Sequence, residues 1–562
     1  MDITSSTPFS TAASRNPLRI QPSIQFSPRW KTTRPLRVAL VRPPSIVSRH
    51  AVAAPLTPPL GLAYLAATVR EAGHQVQIVD GVGEGLRKPR LWKQSTLLRG
   101  LTFEEIAGRI QPEPDVIGIS CMFSSEWPFA HQLIRVLKQA WPGSLLVGGG
   151  EHFNAVPEQS LESCPELTAC VMGEGEETFL EFLERVSSST PLEEVAGLAY
   201  RSREGSIKRN GPRGRIRNVD DIPWPAWDLI PLESYLDLEL GLATLHGRSM
   251  PMLATRGCPF QCAFCSNVYM WTPLWIPRNP VMVLDEFELY MKRYRVNDIQ
   301  FFDPNTIIDK KWILTFADEI TRRDLKISWQ IPIGTRPETV DREVARALAR
   351  SGCFTMGFAP ESGSSRTLKR INKTISIPHM KRSIRNCLEE GLKVKCNIML
   401  GFPGETHRDV WQTLKLILEM SRLGVHDTSV YPFSPYPGTP LFDQLRDEGR
   451  LPGIYTDPWY LSLNYVEFSS IQSCSEHFNR QMLRIYQFLG YALFYGTTFL
   501  FRPIRIYRLI RGLITGRHET KGETILDLFF RRFMLKTIPT LFSNRHSVRT
   551  IFGYLFRWLM HK

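Results

Sequence analysis

The sequence predicts an α/β protein made of two parallel-sheet units, a doubly wound domain and then a partial (β/α)6 barrel, with a basic helical region after them. Three observations carry this. Two separate series of short apolar runs are each spaced widely enough for crossover helices, and residues 474–562 contain no strand-like run at all. The 562 residues, 43% hydrophobic and 22% charged, suffice for several cores of ordinary size.

Residues 1–34 are rich in Ser, Thr and Pro, show no apolar period and read as a disordered leader. They lack the apolar core of a secretory signal. The first series of runs is LRVALV (36–41), QVQIVD (75–80), DVIGIS (115–120), SLLVGG (144–149) and TACVMG (168–173), within a domain at 35–200. Ligands of such sheets bind beyond the carboxyl ends of the strands. Those ends read RPPS, DGVGEG, SCMFSS, GGGEH and GEGEE, loops of mostly small residues.

A linker at 201–243 follows, in which RNVDDIPWPAWDLIPLESYL (217–236) breaks any regular period and is expected to pack its tryptophans between two domains. The second series occupies 244–473: PMLATR from Pro251, DIQFFD (298–303), ISWQIPI (327–333), FTMGFAP (354–360), VKCNIML (394–400) and DTSVYPF (427–433). Six βα units give a barrel whose active site lies at the strand C-terminal mouth. In 474–562 the run Ile485–Phe501 is 17 uncharged residues, short of the roughly 20 that span a bilayer. Arg502, Arg505, Arg508 and Arg511 follow at helical spacing. That face fits anionic lipid, as a peripheral membrane contact, and equally fits a helical cap on the barrel with a solvated basic side.

Net charge is +14, and its distribution argues against a nucleic-acid enzyme. Residues 474–562 hold fifteen Lys/Arg against four Asp/Glu and residues 1–36 five against one, which leaves the body at about −1. Ten thinly spread cysteines fit a reducing cytoplasm and not a disulfide framework.

The exception is ATRGCPFQCAFCSN (254–267), with Cys258, Cys262 and Cys265 just after the first barrel strand. A structural zinc site would need a fourth ligand, for which Cys353, Cys387 and Cys396 are the nearest candidates. Three thiolates alone would hold a [4Fe-4S] cluster with one iron left open to a substrate or cofactor.

This C-x3-C-x2-C spacing, with the aromatic Phe264 before the last cysteine, resembles the radical S-adenosylmethionine (SAM) superfamily. The resemblance implies that SAM binds the open iron through its amino and carboxylate groups. It extends over residues 248–449, where FFDPNT (Asp303, Asn305), GTRPE (Arg336), PESGS (Glu361, Ser362), NIMLGFPGET (Asn397, Gly401, Glu405) and YPFSPYPGTP stand at the positions of family motifs. Phe264, Asp303, Arg336, Glu361 and Ser362 are the implied SAM-binding residues. Each has a plainer reading: Asp303 and Glu361 can cap the next helix, Arg336 can merely neutralise an acid, and Gly401 and Gly404 can simply make a turn.

The N-terminal unit resembles the Rossmann-like cobalamin-binding domain, in which Ser-x-Leu and Gly-Gly make room for the nucleotide tail of vitamin B12. Here Ser120 and Met122 stand after the third strand and Gly148, Gly149 and Gly150 after the fourth. Small residues suit a tail passing close to the backbone. The Asp-x-His-x-x-Gly pattern is absent, since His50 lacks its flanking Asp and Gly, so a histidine ligand to cobalt is not expected. A degenerate domain that binds no cofactor is the plainer alternative.

Together the resemblances imply a cobalamin-dependent radical SAM enzyme, a class B methyltransferase-like protein. An external flavodoxin- or ferredoxin-type donor reduces the cluster, SAM cleavage yields a 5'-deoxyadenosyl radical, and methylcobalamin supplies a methyl to an unactivated carbon. The alternative with the same cofactors is an oxidative cyclase or rearrangement enzyme, like the anaerobic Mg-protoporphyrin monomethyl ester cyclases. A tRNA methylthiotransferase would need a cysteine arrangement that Cys121, Cys164 and Cys170 do not match. A corrinoid carrier without catalysis is the non-enzymatic reading. Tyr269, Trp271, Trp275, Tyr431, Phe433 and Tyr436 near the mouth hint at a large hydrophobic small-molecule substrate, and equally at ordinary packing.

Overall fold

A computed structural model describes residues 34–48, 56–86, 90–93, 96–236, 247–463 and 473–515, with single positions up to 527. The leader up to residue 33, His50 and residues 528–562 lie outside the described residues.

The five apolar runs of the first series form strands Arg37–Arg42 (β1), Gln75–Asp80 (β2), Val116–Ser120 (β3), Leu145–Gly149 (β4) and Ala169–Val171 (β5). They are parallel, in the spatial order β5-β4-β3-β1-β2. The order reverses between β1 and β3, which opens a crevice at their carboxyl ends. Helices Leu60–Glu71 (α1) and Trp127–Ala140 (α2) lie in crossovers, Gly175–Ser188 (α3) follows β5, and α2 buries Phe129, Leu133, Ile134 and Leu137 at spacings of one, three and four. The sheet runs on past residue 200, because Leu198–Arg201 (β6) and Ile207–Arg209 (β7) add an antiparallel hairpin to β5. A three-stranded antiparallel sheet of Ser45–Ser48, Arg90–Lys93 and Thr96–Arg99 is also present. These additions are short and locally irregular, which hides them from a periodicity reading.

The segment after the hairpin is anchored at both ends. Trp227 is buried edge-on against Tyr290 of the barrel, and the next-door Ala226 N–H donates to Ala63 O of α1 at 2.9 Å.

The second series forms Ser249–Met252 (β8), Asp298–Phe301 (β11), Ser328–Thr335 (β12), Cys353–Glu361 (β13), Lys393–Leu400 (β14) and Asp427–Pro432 (β15), all parallel and in sequential order. Between β8 and β11, Thr255–Arg256 (β9) pairs antiparallel with Ile276–Pro277 (β10). The cysteine loop is therefore pinned at both ends. Helices Pro280–Tyr294 (α4), Lys310–Arg322 (α5), Arg342–Arg350 (α6), Ile377–Glu389 (α7) and His407–Leu423 (α8) cover the outside.

An open barrel leaves an edge strand with unpaired backbone groups. Here the helix Arg480–Phe501 (α9) covers β15: Gln487 Nε2 donates to Val430 O at 2.7 Å, and Val430 N–H donates to Tyr491 Oη at 3.1 Å. Leu483, Tyr486, Gly490, Phe494 and Thr498 form its buried face. A Cβ on Gly490 would meet Ile417 and Val430 at 3.3 Å, so the small residue permits the close approach. The next helix is Ile504–Thr515 (α10). Two of the arginines that suggested a lipid face are occupied by the barrel. Arg502 donates to the carbonyls of Ser421 and Arg422, and Arg505 to those of Gly424 and Val425, all at 2.8–2.9 Å. They satisfy the C-terminal carbonyls of α8 and its negative dipole end. No helix among the described residues is long and apolar enough to cross a membrane.

Candidate active site

Loops after the strands of both sheets meet in a buried contact between the domains. On the N-terminal side, Ser120 pairs in register with Gly149, and Cys121 N–H donates to Gly149 O at 2.9 Å. A Cβ on Gly148 would strike the Phe153 ring at 2.5 Å, and one on Gly150, at φ 102°, would strike Cys121 O at 2.7 Å. Those two glycines are required by the fold itself. Gly149 differs, because a Cβ there would meet nothing within 4 Å. It leaves an open face at the end of β4, beside the exposed apolar side chains of Met122 and Phe123. This cradle fits a cofactor tail running along the backbone.

His152 ties the two cradle loops together. Its Nδ1 lies 3.0 Å from Ser124 Oγ and its ring stacks on Trp127 with centroids 4.7 Å apart. Burial pulls its pKa down to about 3, so the ring is neutral and structural.

Replacing Gly149 with leucine is expected to leave folding nearly unchanged and to weaken cobalamin binding by about 10–100-fold, read by absorbance titration. Gly150→Ala should instead lower stability by about 1–3 kcal/mol, because the new Cβ meets backbone.

On the barrel side, Cys262 is buried and Cys258 and Cys265 are half-buried. Burial pushes the Cys265 thiol up to about 12, and the charges of Cys262 and Cys258 push in the same direction. Thiols that near one another hold their protons until a metal replaces them. Burial also raises Cys262, while Lys373 and Arg336 act against it. Cys353, Cys387 and Cys396, the fourth-ligand candidates for zinc, all lie within the barrel's hydrophobic core. The three thiols of the loop stand as a set of three, which fits an open [4Fe-4S] cluster.

Around Cys262 the structure gathers Arg336, Glu361, Lys373 and Phe264. Glu361 ends β13 with a left-handed φ of 62°, a conformation that disfavours non-glycine residues. Its carboxylate accepts from Lys373 Nζ at 3.0 Å, with both groups buried. Burial raises the Glu361 pKa and Lys373 opposes the rise. Lys373 also lies 5.8 Å from the Phe264 ring centroid, and that ring leans on Phe402. Arg336 stacks on Phe260 at 3.7 Å and donates through Nη2 to Thr374 O, yet its buried Nη1 has no partner. An unpaired guanidinium nitrogen beside the thiols fits the carboxylate of an amino acid-like ligand.

Two sequence-proposed SAM residues are engaged elsewhere. Asp303 Oδ1 accepts the N–H groups of Ala254 and Thr255, and Oδ2 lies 3.3 Å from the Thr306 hydroxyl. It braces the strand that leads into the cysteine loop. Ser362 Oγ lies 3.0 Å from Thr413 Oγ1 and accepts from Ser364 N–H. It serves the turn after β13. Among the mouth aromatics, Phe433 is buried against Phe402, Trp275 donates to Asn305 O and Tyr436 to Leu463 O. Those three are packing residues, and Tyr269 stays exposed.

Glu405 holds the GFPGE turn by accepting from Gly401 N–H at 2.6 Å and Phe402 N–H at 3.3 Å. Burial pushes its pKa up to about 7 from an ordinary 4.5. The folded state therefore keeps a proton that the unfolded state loses. The stability this group contributes is full below pH 4.5 and is lost as pH rises to 7, at up to about 1.4 kcal/mol per pH unit. Urea unfolding at pH 5 and pH 7 should show the wild type losing more stability than Glu405→Gln over that interval.

Several contacts join the halves. Glu151, next to Gly150, has its buried carboxyl beside Ser266, next to Cys265; burial raises its pKa and Ser266 opposes the rise. Arg256, two residues before Cys258, reaches Glu174 Oε1 at 3.1 Å and Glu176 Oε1 at 2.6 Å, in the GEGEE loop after β5. Arg215 reaches Glu174 Oε2 at 2.8 Å and also bonds to Trp271 O. None of Glu151, Arg215, Arg256 or Lys373 carries a local sequence signal beyond its own charge.

The family model for the Radical SAM superfamily matches residues 252–417 and that for the B12 binding domain matches residues 49–183. An uncharacterized methyltransferase of Pyrococcus horikoshii is 30% identical over 489 residues, covering 85% of this chain and 98% of its own length. The chain belongs to the cobalamin-binding radical SAM enzyme family. The anaerobic magnesium-protoporphyrin IX monomethyl ester cyclase of Rubrivivax gelatinosus is 25% identical, covering 70% of this chain and 67% of the cyclase. The radical SAM methyltransferase TsrM of Kitasatospora setae, solved with cobalamin and a [4Fe-4S] cluster, shares the fold, with a TM-score of 0.59 at 17% identity over 74% of this chain and 75% of its own. The N-terminal unit is thus the B12-binding domain and the barrel the radical SAM domain, and the residues described above join the two.

Proposed function

We infer that this protein is a cobalamin-dependent radical SAM methyltransferase acting on an unactivated carbon of a hydrophobic or natural-product small molecule. The observation that carries the reading is Glu151, whose neighbour Gly150 belongs to the cobalamin cradle and whose partner Ser266 follows the last cluster cysteine. The loops that would hold the cluster and the cobalamin therefore meet at one junction, as transfer between two such cofactors would require.

Cys258, Cys262 and Cys265 would hold the cluster, which supplies the electron that cleaves SAM, and the cradle at Gly149 would hold the methyl-carrying cobalamin. The chain's own work is positional. Arg336 Nη1 offers a donor to the SAM carboxylate, while Lys373 neutralises Glu361 so that the acid is retained at the mouth. Phe264 and Phe402 form an apolar wall beside the thiols that helps to exclude water. The reading includes an external flavodoxin- or ferredoxin-type electron donor.

The measurement that tests it is the product ratio after anaerobic reconstitution with SAM and cobalamin. Carbon methylation yields S-adenosylhomocysteine and 5'-deoxyadenosine together, with a substrate mass gain of one methylene. 5'-Deoxyadenosine with almost no S-adenosylhomocysteine would replace this reading with that of a cyclase.

A further inference from the structure

A second group of ligating side chains lies in the N-terminal domain, away from the cysteine loop. His131 projects from α2, and Cys164 and Glu166 belong to the turn between the helix Pro157–Ser163 and β5. One nitrogen of His131, the Cys164 Sγ and one Glu166 carboxylate oxygen all lie within 4.8 Å of one another. We propose that His131, Cys164 and Glu166 bind a divalent transition-metal ion of the zinc class.

The imidazole is arranged as a ligand. Its Nε2 is fully covered and has no hydrogen-bond partner among the described residues. With its lone pair on Nε2, a neutral imidazole would present that nitrogen as a ligand, as metal-bound histidines do. Trp127 stacks on the ring at 5.1 Å and 8° and fixes its plane. Left without a metal, a buried unpaired nitrogen is costly.

The other two ligands are poised in the same way. The Cys164 thiol points at Glu166 Oε2 from 3.4 Å. Burial and the Glu166 charge hold that thiol up to about 12, so metal entry must expel its proton to solvent as the metal–sulfur bond forms. Arg135 approaches Glu166 at 3.8 Å and is itself half-exposed, so it can yield the carboxylate. Asp457, from the helix Asp457–Ser462, adds negative charge facing His131. One nitrogen, one sulfur and one oxygen suit Zn2+, with water as the fourth ligand.

Its place in the fold gives the site a use. The helix α2 follows the Ser120–Met122 loop and the helix Pro157–Ser163 follows the glycine loop, so the metal would join the supports of both cradle walls. Trp127 links the site to the cradle, since it stacks on both His131 and His152.

The test uses the full chain with Cys258, Cys262 and Cys265 replaced by alanine, so that the loop thiols do not compete. Titration with Co2+ alone should give one equivalent bound, with a thiolate charge-transfer band and tetrahedral visible bands that Zn2+ displaces. His131→Ala and Cys164→Ser should each remove the bands. Glu166→Gln, at the exposed side of the site, should bind about 10–100-fold more weakly, and it serves should either of the others fail to fold. Elemental analysis of the anaerobic holoenzyme should find one zinc per chain beside the iron. Absence of a thiolate band in the parent chain, an unchanged band in Cys164→Ser, or an unchanged Co2+ affinity in Glu166→Gln overturns the assignment.

Discussion

Replacing Cys258, Cys262 or Cys265 with alanine is expected to abolish SAM cleavage while cobalamin still binds. The three thiols share one loop, pinned by the antiparallel pair of β9 and β10, and Cys353, Cys387 and Cys396 are packed in the barrel core. A cluster deprived of one of three protein ligands has no described substitute. The cradle of Gly149, Met122 and Phe123 lies on the other domain and depends on packing among Gly148, Phe153 and Cys121. Loss of both 5'-deoxyadenosine and S-adenosylhomocysteine, measured by mass spectrometry, with the cobalamin absorbance retained, is the expected pair of results. Wild-type cleavage in any of the three variants would mean that the loop does not hold the cluster.

Arg256→Met is expected to destabilise the chain by about 3–5 kcal/mol and to uncouple the two halves. Burial works against the Arg256 charge, but Glu176 and Glu174 more than offset it and raise its pKa. Glu176 is in turn held below the usual carboxylate range by Arg256 despite its burial. Removing the guanidinium leaves two acids buried at the junction, with Arg215 left to bond Glu174 alone. Lysine is a poor substitute, because Arg256 uses two different nitrogens for its two acids. Urea unfolding reads the stability loss. The product ratio reads the uncoupling, since 5'-deoxyadenosine formed without methylated substrate should rise in Arg256→Lys. An Arg256→Met variant within about 0.5 kcal/mol of wild type would show that the network does not join the domains.

Most strands were legible because each is a contiguous apolar run with turn residues after it, and such a signal does not depend on the rest of the chain. All eleven runs of the two series became strands of the two sheets. The cysteine loop was legible for the same reason, since its spacing is local. The β6–β7 hairpin was missed because β6 is only the four residues LAYR and the REGSIKR that follows is polar and mostly exposed, so no alternation extends across the pair. Asp303 and Ser362 were named from the family resemblance, and the structure adds that backbone N–H groups of neighbouring segments already use both side chains. The arginine run after α9 likewise offered a lipid face or a cap, and the carbonyls of α8 settled two of its members as a cap.

By itself the sequence determined the two parallel-sheet units, the three-cysteine loop and the glycine-rich cradle, because periodicity and short spacing are properties of neighbouring residues. Only the tertiary structure decided that Lys373 returns to Glu361, that Glu151 meets Ser266 and that Arg256 spans Glu174 and Glu176. These pairs lie far apart in the chain. Their partners are selected by how two domains pack and by the need to neutralise charge buried between them, and no local pattern encodes that.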